Sequence, residues 1–250
     1  MRLPDWDGHD HATHHADSEL SMALAAPIDV SLDRALDVPL GTPTRPLWRG
    51  LLHQWALFTA VPLMVLLAVL ADGTKARLAV IVYAFGLCSM FAASTTYHRW
   101  VHTLRARSIW QRTDHAMIYA AIAGSFTPVC VLAMPNPWGV ALLVFIWTGA
   151  VVGAVLKLAV WHRARIIGAV LYMALSWIGV TSVPFLYDRY GALPVVLLLA
   201  GGVAYTVGAI GFARQWPRLS PAVFSYHEVW HVFTIVAAAL QWGAVWTIAT

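Results

Sequence analysis

Seven apolar stretches, near 50–71, 77–98, 114–134, 138–157, 165–187, 192–213 and 226–248, fill most of this 250-residue chain. Each is long enough to cross the hydrocarbon core of a bilayer, which takes roughly 20 helical residues. Lipid offers the backbone no hydrogen-bond partners, so segments of this length cross as helices that satisfy their own amides. The chain is 60% hydrophobic and only 11% charged, a balance that excludes an ordinary soluble domain. Short connections make neighbouring helices antiparallel. The expected fold is therefore an all-α membrane protein, a seven-transmembrane helix bundle over residues 46–250.

Residues 1–45 read as a separate region. They hold eight of the twelve acidic residues and four histidines, His9, His11, His14 and His15. Low hydrophobicity predicts a disordered cytoplasmic arm, and a His/Asp tract of this kind binds zinc or nickel weakly. The first residues lack the apolar core of a signal peptide, so the first span is expected to serve as its own insertion signal.

Charge sets an expected orientation. With seven spans, thirteen of the sixteen Lys and Arg residues fall on the side of the N-terminal tail, leaving Lys75, Arg77 and Arg189 opposite. The positive-inside rule then places the N-terminus in the cytoplasm and the C-terminus outside, in a multi-pass cell-membrane protein. These cations flank apolar helices, so their expected partners are anionic lipid head groups and no nucleic acid. Trp48, Trp100, Trp110, Trp161 and Trp216 at inner span ends, with Trp138, Trp242 and Trp246 towards outer ends, read as an aromatic belt. Cys88 and Cys130 lie at different depths and are expected to be unpaired thiols.

Pro62, Pro128 and Pro184 predict kinks within spans one, three and five. Gly201, Gly202, Gly208 and Gly211 make one side of span six small, which permits close helix approach. The absence of a convincing internal repeat weighs against a transporter built from inverted repeats.

Chemistry is expected where ionisable groups stand in apolar surroundings. His98 closes span two four residues after Ser94, while His227 and His231 stand four apart at the start of span seven. Four residues is about one helical turn, so each pair shares a helix face. Asp114 opens span three. Alternating span direction then brings Ser94, His98, Asp114, His227 and His231 to one membrane level, near the cytoplasmic face. Polar groups at membrane depth face a bundle interior and mark a functional site by default. Three imidazoles and a carboxylate suit a borderline divalent ion, with zinc leading and iron or manganese next. Three protein ligands with an open position is the pattern of a catalytic zinc. On this reading His98, His227 and His231 bind the metal, and Asp114 and Ser94 act beside it on a water. His53, His102, His115 and His162 read as interfacial residues, with His115 the nearest reserve ligand.

The same residues carry a family resemblance. Arg49-Gly50-Leu51-Leu52-His53 enters span one, and Ser94-Thr95-Thr96-Tyr97-His98 ends span two. Asp114-His115 and Ala123-Gly124-Ser125-Phe126-Thr127-Pro128 lie in span three, and His227-Glu228-Val229-Trp230-His231 opens span seven. In this order the chain resembles the hemolysin III branch of the progestin and adipoQ receptor family, related in pattern to alkaline ceramidases. The resemblance covers residues 45–250. It implies that His98, His227 and His231 bind zinc and that Ser94 and Asp114 complete the site. It also implies a ceramidase-like hydrolase acting on a lipid amide or ester, with a zinc-activated water as nucleophile. The alternative is a receptor or regulator of membrane state with a structural zinc. A third reading, an intramembrane metalloprotease, comes from the H-E-x-x-H spelling of residues 227–231, with Glu228 as general base. A divalent-metal transporter is disfavoured because the spans offer only Asp114 and Glu228 as acids.

Overall fold

A computed structural model describes residues 46–159, 165–220 and 222–250. The acidic, His-rich tail, Trp161 and His162 lie outside the described residues. Among the described residues eight α-helices build seven membrane-length spans, as expected. They are α1 (Leu51–Leu70), α2 (Gly73–Thr95), α3 (Leu104–Pro128), α4 (Trp138–Ala159), α5 (Arg165–Ile178), α6 (Val183–Tyr190), α7 (Ala192–Ala213) and α8 (Tyr226–Ala249). Each span turns large apolar side chains outwards, among them Phe58, Phe85, Phe145 and Val196, which are all more than half exposed. In water such faces would aggregate; against acyl chains they are solvated.

Two apolar clusters stabilise the bundle. One joins α3, α4, α5, α6 and α7 around Phe126, Ile146 and Leu186. The other joins α1, α2 and α8 around Leu67, Tyr83 and Val245. The most extensive helix contacts are α2 with α3 and α7 with α8. The first depends on Gly86, where a Cβ would run into the Ala120 carbonyl of α3. Small residues let the backbones approach where lipid supplies no hydrophobic drive. Gly201 and Gly208 serve α7 in the same way against Ala237 and Phe233 of α8. Gly202 departs from the expectation: it faces open space.

Several boundaries differ from the sequence reading for physical reasons. The third span begins at Leu104 rather than 114, because Thr103 caps the helix by accepting the Ala106 amide at 3.2 Å. The charged residues 105–112 thus extend the helix past its apolar part, and the loop expected over 99–113 shrinks to three residues, Val101–Thr103. Asp114 consequently sits well inside α3 instead of opening it. Span two ends in a π-helical turn, Thr96–Trp100, and span three in another, Val129–Ala133, directly after Pro128. Span five is interrupted by a 3₁₀ turn, Gly179–Ser182, and Pro184 lies in the first turn of α6. There its missing N–H removes no helix bond, so Pro184 starts a helix rather than kinking one. Pro62 is carried within continuous α1.

Cys88 and Cys130 are free. Trp100, Trp138 and Trp216 are exposed at span ends, as an aromatic belt requires. Trp242 and Trp246 instead pack together with ring centroids 5.0 Å apart, against the α1–α2–α8 cluster.

Candidate metal centre

The three histidines converge. Ring nitrogens of His98, His227 and His231 all lie within 4.8 Å of one another. His231 and His227 share a face of the first turns of α8, their rings 4.8 Å apart. His98 reaches them from the π turn of span two, its Nε2 3.2 Å from Nε2 of His227. π turns recur at functional sites because the widened turn re-aims a side chain. His98 and His231 are buried, and His227 is half-buried.

The donor set fits a divalent ion. Two nitrogens each ~2.0–2.1 Å from a tetrahedral zinc stand about 3.3 Å apart, close to the His98–His227 spacing. His231 Nδ1 is buried without a hydrogen-bond partner. Three neutral imidazoles packed in an apolar interior are unfavourable until a cation or proton joins them.

Asp114 and Ser94 stand beside the triad. Asp114 Oδ2 is 3.9 Å from His98 Nε2, and both Asp114 and Ser94 line the cavity that His227 and His231 also face. His98 lies behind that wall, against His227. Arg112 turns away from Asp114 and donates to the Leu158 carbonyl at 3.2 Å. His115 faces the same cavity and donates Nδ1–H to the Gln111 carbonyl at 2.9 Å, outside the triad. His102 is exposed, as an interfacial residue should be.

His53 corrects the sequence reading. It is buried rather than interfacial, and its ring stacks on His231 with centroids 3.9 Å apart and planes 10° from parallel. Its Nε2 is 2.8 Å from Thr234 Oγ1 and its Nδ1 2.8 Å from Ser94 Oγ. Thr234 spends its single proton on the His231 carbonyl, also at 2.8 Å. Its oxygen must therefore accept from His53 Nε2–H, which leaves Nδ1 of the neutral ring as an acceptor. Ser94 bridges that nitrogen and the Asp114 carboxyl, with which it also hydrogen-bonds. The available signal was topological: span one starts at the triad end, so its third residue shares the triad's level.

Glu228 lies off the site. Its Oε2 accepts the Ser225 amide at 2.8 Å in a capping box, and its Oε1 pairs with Arg49 Nε at 2.5 Å. Both oxygens are engaged and the side chain is fully buried. A glutamate so held cannot serve as the base of an H-E-x-x-H protease. Arg49 belongs to a strap, residues 46–50, that pairs Leu47 N with Ala222 O at 3.2 Å and Trp48 N with Val223 O at 3.3 Å. Gly50 ends the strap with φ of 75°. A Cβ there would stand 2.5 Å from Cβ of His98. Only glycine lets the strap cover that ring.

A cavity opens among α2, α3, α5, α7 and α8, with His53 of α1 also lining it. Its walls are mostly apolar, with the imidazoles and the Asp114 carboxyl gathered at the triad end. Where α5 faces α7 the helices barely touch; they are linked by a hydrogen bond from Trp177 Nε1 to Thr206 Oγ1 of 3.1 Å.

A family described as "Haemolysin-III related" matches residues 42–242 of the chain. Hemolysin-3 of Bacillus cereus is 30% identical over 196 residues, covering 77% of this chain and 86% of that protein. The Hemolysin-3 homolog of Bacillus subtilis is 25% identical over 196 residues, covering 77% and 89%. The human monocyte to macrophage differentiation factor is 25% identical over 199 residues, covering 78% and 80%.

Proposed function

Because this chain belongs to the haemolysin-III related family, with a buried histidine triad inside seven spans, we propose that it is a metal-dependent membrane hydrolase of lipid amide or ester bonds. The observation that carries the reading is the juxtaposition of triad, carboxylate and apolar cavity. His98, His227 and His231 would hold the ion, with zinc favoured by three imidazole donors. A bound divalent ion supplies a water of lowered pKa and polarises a carbonyl.

The remaining chemistry belongs to side chains. Asp114 takes a proton from water in the cavity and returns it to the leaving amine or alcohol. Ser94, held between His53 and Asp114, positions the Asp114 carboxyl beside the cavity. The apolar walls hold the acyl chain and exclude bulk water, which strengthens each electrostatic contact at the triad end. The sparse α5–α7 seam supports lateral entry from lipid, with Trp177 and Thr206 across it. The charge bias supports a cytoplasmic triad end, with anionic head groups beside its basic residues.

A second reading, a receptor-like protein with a structural metal, is favoured by one observation. The triad joins α8 to span two, and these elements otherwise touch sparsely. The two readings separate in purified protein reconstituted in lipid nanodiscs. A hydrolase releases free fatty acid from ceramide, and chelation or Asp114→Asn stops the release while melting stays close to wild type. No turnover across a panel of lipid amides and esters, with unfolding on chelation, would establish the structural role instead.

A further inference from the structure

Gln241 is polar in the middle of the apolar last span, and it lines the cavity far from the triad. It lies ten residues beyond His231 on α8, ~15 Å along the axis at ~1.5 Å per residue. Among the described residues it forms no hydrogen bond. An intramembrane amide without a partner is expensive and is a functional-site candidate by default. Its neighbours are arranged around it. The Gln241 stem passes Gly201, where a Cβ would lie 3.5 Å from Gln241 Cγ, and beside it Gly202 opens to empty space.

Two further polar side chains reach the same level of the cavity. Ser125 lies eleven residues beyond Asp114 on α3, ~16 Å along that axis. Its hydroxyl proton is given to the Ile122 carbonyl at 3.0 Å, so its free valence is an acceptor. Tyr205 lies seven residues before Phe212 on α7, ~10 Å from the triad end, and its hydroxyl makes no hydrogen bond. Helical side chains tilt towards their own N-terminus. Tyr205 therefore leans away from the triad, while Gln241 and Ser125 lean back towards it. The three converge at one depth.

We propose that Gln241, with Tyr205 and Ser125, forms a second polar subsite that recognises a hydroxyl or carbonyl carried on the ligand's chain roughly 15 Å from its head. The inference rests on the proposal that a lipid chain occupies this cavity with its polar head at the triad, and it deepens that proposal by naming the chain. The amide of Gln241 donates and accepts, Tyr205 donates or accepts, and Ser125 accepts, so either oxygen type finds a partner. A plain acyl chain would bury these groups against methylenes and leave them unsatisfied.

The test reads binding and is independent of turnover. Full-length protein in nanodiscs is titrated with 12-hydroxystearic acid and with stearic acid, whose chains differ only by a mid-chain hydroxyl at about this distance from the carboxylate. Bound lipid is measured by equilibrium exchange with a radiolabelled chain. Wild type is expected to prefer the hydroxylated acid on the order of ten-fold. Gln241→Met, which preserves length and volume, should abolish the preference while binding stearic acid as well or better. Tyr205→Phe provides an independent variant and should weaken the preference. Equal affinity of wild type for both acids would overturn the subsite, and the groups would then hold only water, with the lipid cavity itself intact. Binding of neither acid would overturn the lipid reading and this inference together.

Discussion

His53 tests whether the metal centre is supported from behind. In His53→Leu, two 2.8 Å hydrogen bonds and the ring stacked on His231 disappear together. Side-chain hydrogen bonds inside membrane proteins average about 0.6 kcal/mol and reach about 1.7 kcal/mol. Two of them give a stability loss of about 1–3 kcal/mol. The upper half of that range would require Ser94 to be stranded, and it is not: it keeps its hydrogen bond to Asp114. Thr234 keeps its bond to the His231 carbonyl, so the α8 backbone is untouched. The larger effect should fall on the metal. Losing a residue that orients a ligand lowers metal affinity by about 10–100-fold. His53 meets His231 at its ring face and its backbone rather than at a ring nitrogen, so the lower end, about 10-fold, is expected. Competition against a chromogenic chelator, run beside thermal unfolding of the apo and zinc-loaded forms, measures both quantities. Unchanged zinc affinity with an unchanged melting temperature would sink the claim that His53 supports the site. A stability loss with wild-type affinity would reduce it to a packing residue.

Glu228→Gln should keep zinc content and lipid turnover while lowering stability by about 1–2 kcal/mol, because the capping oxygen survives and Arg49, 24% exposed, finds water. Loss of turnover in a stable, zinc-loaded Glu228→Gln protein would restore the protease-like role of this residue. Gly50→Ala forces a left-handed backbone on alanine and pushes against His98. Strain of about 1–2 kcal/mol is expected with a drop in bound zinc, read by elemental analysis and melting. Full zinc occupancy in a wild-type-stable Gly50→Ala protein would show that the strap does not press on the site.

The fold and the triad were legible because both follow from period and direction. Apolar length fixed the spans, and alternating direction brought residues near 98, 114 and 227–231 to one level. What escaped the sequence depended on contacts that carry no periodic signal. The start of α3 at Leu104 rests on a single capping hydroxyl, Thr103, inside a charged segment. His53 read as interfacial because it is the third residue of a span, and only packing shows that its ring lies under His231. Glu228 read as a possible base because the five-residue spelling conceals which way a side chain points. The polar depth of the cavity at Gln241 leaves no trace in the sequence for the same reason: one amide in an apolar helix has no pattern.

These corrections converge on the turn that begins span one. Residues 227 and 231 share a face of α8, whereas residue 228 is about 100° round the helix and looks towards α1. The triad histidines come from span two and α8, yet the groups that constrain them come from Arg49, Gly50 and His53. Arg49 neutralises the glutamate that caps α8, Gly50 admits the strap over His98, and His53 stacks on His231 and turns the Ser94 hydroxyl. Two of these contacts engage α8 and two engage span two, so displacing that one turn would disturb both helices that present the histidines. The Arg-Gly-x-x-His spelling at the head of span one therefore has a physical meaning: cation, left-handed glycine and imidazole, spaced by one turn, close the site from outside the ligand set.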